Sequence, residues 1–266
     1  MKKLASLLPA VAILGVAAIA CAGVLVDEQQ IIDQPNGGKV TRNRTVMIQG
    51  DKQKSIIDNG ARSVITDLGK GTMMMVDGKR KTYVEFPFPP KGGGVAAMQA
   101  GMSPTISFKK TGGHAKIIGY SCDEYTGAGT VGPNSVSMSG CFSDSVPGAS
   151  AYSDFQREMA EKVKGTTMAN MGQLPQGVPL RLTITTTIGN LSTSGIPAEQ
   201  AKKLGQMLTN HQFVTNTTVS KISSISLPPN SFQAPAGYQK QQVPPMFAGM
   251  GAPVPATPRA PSKVPE

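Results

Sequence analysis

Tryptophan is absent from this 266-residue chain, and with 5 Tyr and 8 Phe the aromatics reach only 5%. A folded core must therefore be assembled from Ile, Val, Leu and Met; 14 Met are available for it, flexible enough to fill irregular gaps. Histidine is nearly missing. His114 and His211 lie far apart and no C-x-x-C occurs, so the spacings of a zinc or redox site are excluded. Acidic residues are outnumbered, giving a formal net charge of +10. The basic residues are scattered and not interleaved with aromatics, which argues against a nucleic-acid surface. A solvated strand face accounts for them better, with attraction to anionic lipid or envelope polymer second. Cysteine is scarce too, at three.

What the first residues do have is an address. Lys2 and Lys3 precede an apolar run from Leu4 to Ala20, followed by small residues at Ala18, Ala20 and Ala22. That order is a secretory leader, 1–22; Pro9 interrupts the run, which is at the lower limit for a membrane span. Ala18-Ile19-Ala20-Cys21 loosely resembles a bacterial lipobox, so the alternative is acylation of Cys21 and membrane association through it. The immediate strand-like Gly23-Val24-Leu25-Val26 favours plain cleavage and a periplasmic or secreted protein. Two cysteines then remain in an oxidising compartment, and we expect a Cys122–Cys141 disulfide. It closes a loop of roughly 20 residues, contributing about 3 kcal/mol in the chain-entropy model. Strict alternation puts the two thiols on opposite parities, which a bulge at Gly140 would reconcile.

Short β-like runs fill the next stretch: Val24 to Ile32, Val40 to Gln49, Lys52 to Ile57, Arg62 to Asp67, Thr72 to Val76 and Arg80 to Phe86. Asn-Gly and Asp-Gly dipeptides separate several of them, which reads as an antiparallel meander. Residues 89–104 are Gly/Ala/Met-rich and read as a loop insertion. A strand at Thr105 to Lys110 follows. Then comes a hairpin of two cysteine-bearing strands, Lys116 to Tyr125 and Val136 to Phe142, around a Gly/Pro/Asn turn.

Ser153-Asp-Phe-Gln156 has the form of a capping box opening a helix with Phe155, Met159 and Val163 on one face. Leu180 to Ile188 alternates apolar with Arg and Thr, a half-buried strand. Residues 196–210 read as a helical insertion, with Ala201, Leu204 and Leu208 aligned, before a strand over Val214 to Leu227. From 239 to 266 the chain is Pro-rich and expected to be disordered, a tail that could engage an envelope protein.

Catalytic motifs are few and incomplete. Ser107-Phe-Lys-Lys110 and Lys110-Thr-Gly112 match two penicillin-binding motifs, but these need two different lysines. Gly119-Tyr-Ser121 lacks the second glycine of a nucleophile elbow. A thiol protease would need Cys122 or Cys141 free. Met73 to Met75 and Met168-x-x-Met171 are better read as core filler than as a Cu(I) site. We expect no enzyme, no cofactor and no metal.

Asp77-Gly-Lys-x-Lys-Thr-Tyr83, Ile118-Gly-Tyr-Ser-Cys122, the Phe155 helix and Phe232-Gln-Ala-Pro-Ala-Gly-Tyr238 occur in an order that resembles an uncharacterised family of exported bacterial domains of unknown function. That family in turn resembles the periplasmic lipoprotein carriers and receptors. The resemblance spans 23–238 and implies a mainly β, α+β fold: a curved antiparallel half-barrel with two or so helices at its concave face or mouth. The resemblance supports fold better than ligand. The meander, the two amphipathic helices available as lids and the abundant Met lead us to expect a binding domain whose concave face holds a lipid or acyl ligand, the alternative being a structural or interaction domain with a filled core.

Overall fold

A computed structural model describes residues 23–34, 37–89, 104–131, 134–163, 174–189, 199 and 211–242. The leader, Cys21, nearly all of the 89–104 and 196–210 insertions, Met168, Met171 and the tail beyond 242 lie outside them.

Twelve strands form one open, curved sheet that does not close into a barrel. They are β1 (Gly23–Asp33), β2 (Lys39–Gln49), β3 (Lys52–Ile57), β4 (Arg62–Asp67), β5 (Thr72–Asp77) and β6 (Thr82–Pro87), followed by β7 (Pro104–Ile117), β8 (Tyr120–Val131), β9 (Asn134–Ser143), β10 (Val178–Thr187), β11 (Gln212–Ile225) and β12 (Gln239–Lys240). Their spatial order is β12-β6-β5-β4-β3-β2-β1-β11-β10-β9-β8-β7. The sheet is thus two meanders, β1 to β6 and β7 to β11, joined where β1 pairs antiparallel with β11. All pairs are antiparallel except β12 with β6.

Period-two alternation gives the sheet an inner and an outer face. Helix α1 (Ala149–Val163) lies on the inner face against β1, β2 and β10. Phe155, wholly buried, packs there with Val24, Val26, Val46, Ile48, Val178, Leu180, Val219 and Ile222. The outer face of the first meander is covered by the chain leaving β11. Leu227 and Phe232 pack on Ile65 and Val76, with Met47, Met74, Tyr83 and Tyr238 around them. This strap ends in β12, so the closing Phe-x-x-Pro-x-Gly-Tyr motif is a fastening. Met73 and Met74 accordingly join different clusters, one on each face.

Four expectations are corrected. The helix begins at Ala149, and Ser153 sits inside it, accepting a hydrogen bond from the Gly177 N–H at 3.2 Å. The entry is Gly148 instead, at φ 76 and so close to Val24 that a Cβ would stand 2.6 Å from that side chain. Ile118-Gly119 is a two-residue turn joining β7 to β8, with φ 46 and 90, where a strand was read. Gly127 and Gly129 lie within β8, paired to Met138 and Val136, where a turn was read. Finally, the chain stays in the fold past Tyr238: the Gln241 N–H donates to the Tyr83 carbonyl at 2.7 Å.

Cys122 and Cys141 form a disulfide across β8 and β9, with Cα atoms 5.3 Å apart. No bulge at Gly140 is needed. Gly140 pairs in register with Tyr125, and Cys141 stands opposite Glu124. Cys122, two residues before Glu124, therefore shares the face of Cys141 and reaches it diagonally. The irregularity lies on the other side of β9, between Pro179 and Arg181 of β10.

Candidate functional site

Strand register aligns the inner-face side chains into rows that run across the sheet. Nearest α1, one row is Val26, Val46, Ser55, Val64, Met75 and Val84. Its β1 and β2 members are buried beneath the helix, whereas Met75 is 46% exposed. Towards the other end of the strands lies a second apolar row: Val40, Ile32, Thr215, Ile184, Met138, Gly127 and Phe108. Beyond it come Phe213, Thr186, Val136, Gly129 and Ile106. These two outer rows are half-buried for the most part, and none of their residues belongs to the core packed around Phe155.

The outer face of the same strands differs in kind. Ser107, Lys109, Thr126, Ser137, Ser139, Thr183 and Thr185 project there, mostly exposed. The apolar side chains are therefore sorted to one face, not merely abundant. Gly127 and Gly129 deepen that face: the Phe108 ring lies over Gly127, where a Cβ would meet it at 2.8 Å. Glycine weakens a strand, and here the lost side chain is replaced by the neighbouring ring.

Between the apolar rows and the packed base runs a polar belt. Arg44 and Glu28 face each other across β1 and β2, with Arg44 Nε 3.2 Å from Glu28 Oε1 and donating to Ser55 Oγ at 2.9 Å. Burial pushes the Glu28 carboxyl up, opposed by the Arg44 charge and by the Gln30 amide. Tyr152 of α1 sits above the pair. Burial and the Glu28 charge push its hydroxyl up to about 12, so it is a neutral phenol at any physiological pH. One step further out are Arg42, Gln30 and Thr217 in a row. Sequence reasoning missed this belt, since nothing in the chain links Glu28 to Arg44 except the β1–β2 register.

Residues singled out for chemistry are dispersed or engaged. Lys110 Nζ donates to Asp123 Oδ2 at 2.5 Å, and His114 Nδ1 lies 2.7 Å from Asp123 Oδ1. The irregularity between Lys110 and His114 brings both to one carboxylate, whose pKa the Lys110 hydrogen bond lowers. Ser107 points to the other face. Both described thiols are consumed by the disulfide, and His211 stacks edge-on against Phe213, centroids 5.0 Å apart. Among the described residues no group of three or more His, Cys, Asp or Glu is placed to hold a metal.

An open, curved, mainly antiparallel sheet carrying a helix on one face is thus the class this chain falls in. Its residues 39–203 match the model of a domain of unknown function, DUF4412; the chain belongs to that family. No curated protein matches it. Among solved structures, a putative outer membrane lipoprotein-sorting protein domain from Vibrio parahaemolyticus is similar over 79% of this chain and 89% of its own, at 9% identity and TM-score 0.32. A LolA superfamily protein from Nitrosomonas europaea is similar over 80% and 90%, at 9% and 0.29. PNGF-II is similar over 84% of this chain, at 10% and 0.36, but this chain spans only 31% of that one. At these levels neither detail of fold nor function transfers.

Proposed function

We propose that this domain is a non-enzymatic binding module of the bacterial envelope that holds an apolar or acyl ligand on the outer rows of its inner face. The observation behind the reading is the band from Val40 to Phe108, sorted to one face and outside the core packed around Phe155. It crosses seven strands, about 29 Å at the usual inter-strand spacing, a span suited to a long acyl chain lying across them. The leader-like first residues and the disulfide support export. Against catalysis stand the engaged Lys110, the bonded thiols and the dispersed histidines.

Native mass spectrometry of the mature protein, purified from its host's envelope, tests the reading. A co-purifying adduct of lipid mass is expected. A chain that flies only at its own mass, and takes up no long-chain lipid when offered one, refutes it. A second reading, a structural or interaction domain, is favoured by the solid packing around Phe155. The same negative result would leave that reading standing.

A further inference from the structure

The polar belt assigns a polarity to that ligand. We infer that the inner face takes an anionic phospholipid, with its phosphate on Arg42 and its acyl chain across the Val40 to Phe108 row. The inference rests on the acyl-ligand reading above and adds the head group to it.

Arg42 is half-buried and has no hydrogen-bond or ion-pair partner among the described residues. Its neighbours on the inner face are Gln30 across the strand pair, Val40 and Arg44 along its own strand, and Thr217 one strand further. None is an acid. The nearest carboxylate on this face, Glu28, is already held by Arg44 at 3.2 Å. Asp27 and Asp33 alternate to the outer face, where Asp27 accepts from the Thr45 hydroxyl at 2.6 Å. Asp123, across the sheet, is taken by Lys110 and His114.

Taking a guanidinium partly out of water without a counter-charge is costly, and a soluble strand face would ordinarily supply an acid. Here Glu28 is held by Arg44, and Asp58, in the turn after β3, is exposed and makes no ion pair with Arg42, so the partner position opens onto apolar side chains. A guanidinium offers a planar fork of donors that matches phosphate oxygens in pairs. The Gln30 amide, whose nitrogen also donates to Glu28, stands beside it and the Thr217 hydroxyl one strand further on, and both can bond the remaining head-group oxygens. Head and tail are therefore specified by adjacent rows: one step along β2, from Arg42 to Val40, passes from cation to hydrocarbon.

The test uses delipidated full-length mature protein, disulfide intact, with two probes of the same acyl chain: lysophosphatidylglycerol, which is anionic at its phosphate, and the monoacylglycerol, which has no phosphate. Titration calorimetry should show the anionic lipid binding more tightly. Arg42→Gln should weaken it by about tenfold, the scale of one charged hydrogen-bonded contact, while the phosphate-free lipid is little changed. Arg42→Lys should recover part of the loss. Met138→Gln and Ile184→Glu, with folding verified by circular dichroism, should weaken both lipids. Equal binding of the two lipids with no effect of Arg42→Gln overturns the head-group inference and leaves the acyl reading intact. Binding of neither lipid overturns both.

Discussion

Gln49→Ala should loosen the strap and leave the rest of the sheet in place. Gln49, the last residue of β2, uses both ends of its amide on one residue: Nε2 donates to the Leu227 carbonyl at 3.3 Å and Oε1 accepts from the Leu227 N–H at 2.7 Å. The side chain thereby stands in for a strand partner where the backbone leaves β11. Truncation removes two hydrogen bonds, each with a net contribution of about 0.5–1.5 kcal/mol. It also leaves the Leu227 backbone, 9% exposed, short of partners. The expected loss is about 1–3 kcal/mol. Gln49→Glu keeps the shorter bond as a charge-assisted one and loses the other, so it should fall between wild type and alanine. Urea unfolding followed by circular dichroism gives the loss. Amide exchange at Leu227, Gln239 and Gln241 locates it, because those protons report the strap and β12. If Gln49→Ala costs under about 0.5 kcal/mol and exchange at Gln239 and Gln241 is unaltered, the strap is held by its apolar contacts alone.

Phe155→Ala should cost about 3–5 kcal/mol by emptying the centre of the helix–sheet contact, a large share of a typical domain's stability; a chemical melt unchanged within 1 kcal/mol would mean that α1 is not part of the cooperative unit. Replacing both Cys122 and Cys141 by alanine should cost about 3 kcal/mol from the roughly 20-residue loop plus some packing, since both sites are nearly inaccessible; urea unfolding should place the variant below the reduced wild type, itself below the oxidised protein, and a variant as stable as the oxidised protein would contradict it. Glu28 titrates above the ordinary Glu value of 4.5 because it is buried. An acid raised in the folded state binds more protons folded than unfolded, so its contribution to stability falls as pH rises from about 4.5 through the raised value. Glu28→Gln should remove that decline, visible as a flatter stability–pH curve in the same window, even though losing the charge partner of Arg44 lowers stability overall; parallel curves for the two proteins would contradict the assigned burial.

Local signals were legible in the sequence where they were chemically forced. Gly37, Asp51, Asn59-Gly60 and Asp77-Gly78 end strands because those residues accept turn geometry cheaply, and β1 to β5 fall within a residue or two of where the alternation puts them. The same reasoning failed at Ile118. A β-branched residue resists positive φ, so the tight turn there runs against its local preference and is imposed by the pairing of Ile117 with Tyr120. At Ser153 a capping pattern was present but unused, because the close approach of Gly148 to Val24 begins the helix a turn earlier. The inner-face rows were out of reach altogether. They exist only through register between strands distant in sequence, such as Ile32 with Thr215, and no window of residues contains that information.

The β1–β11 seam sets the order in which this chain can become a protein. Each meander is built from near neighbours, so its hairpins close short loops quickly. The strand that joins them is the first of the domain, and Gly23 pairs with Ile225. Until β11 has emerged, β1 has an unpaired edge, and that edge lies in the middle of the finished sheet. Closing so long a loop is entropically slow. Completion of the sheet therefore waits on β11: the two meanders become one sheet only when that strand, nearly two hundred residues after β1, is in place.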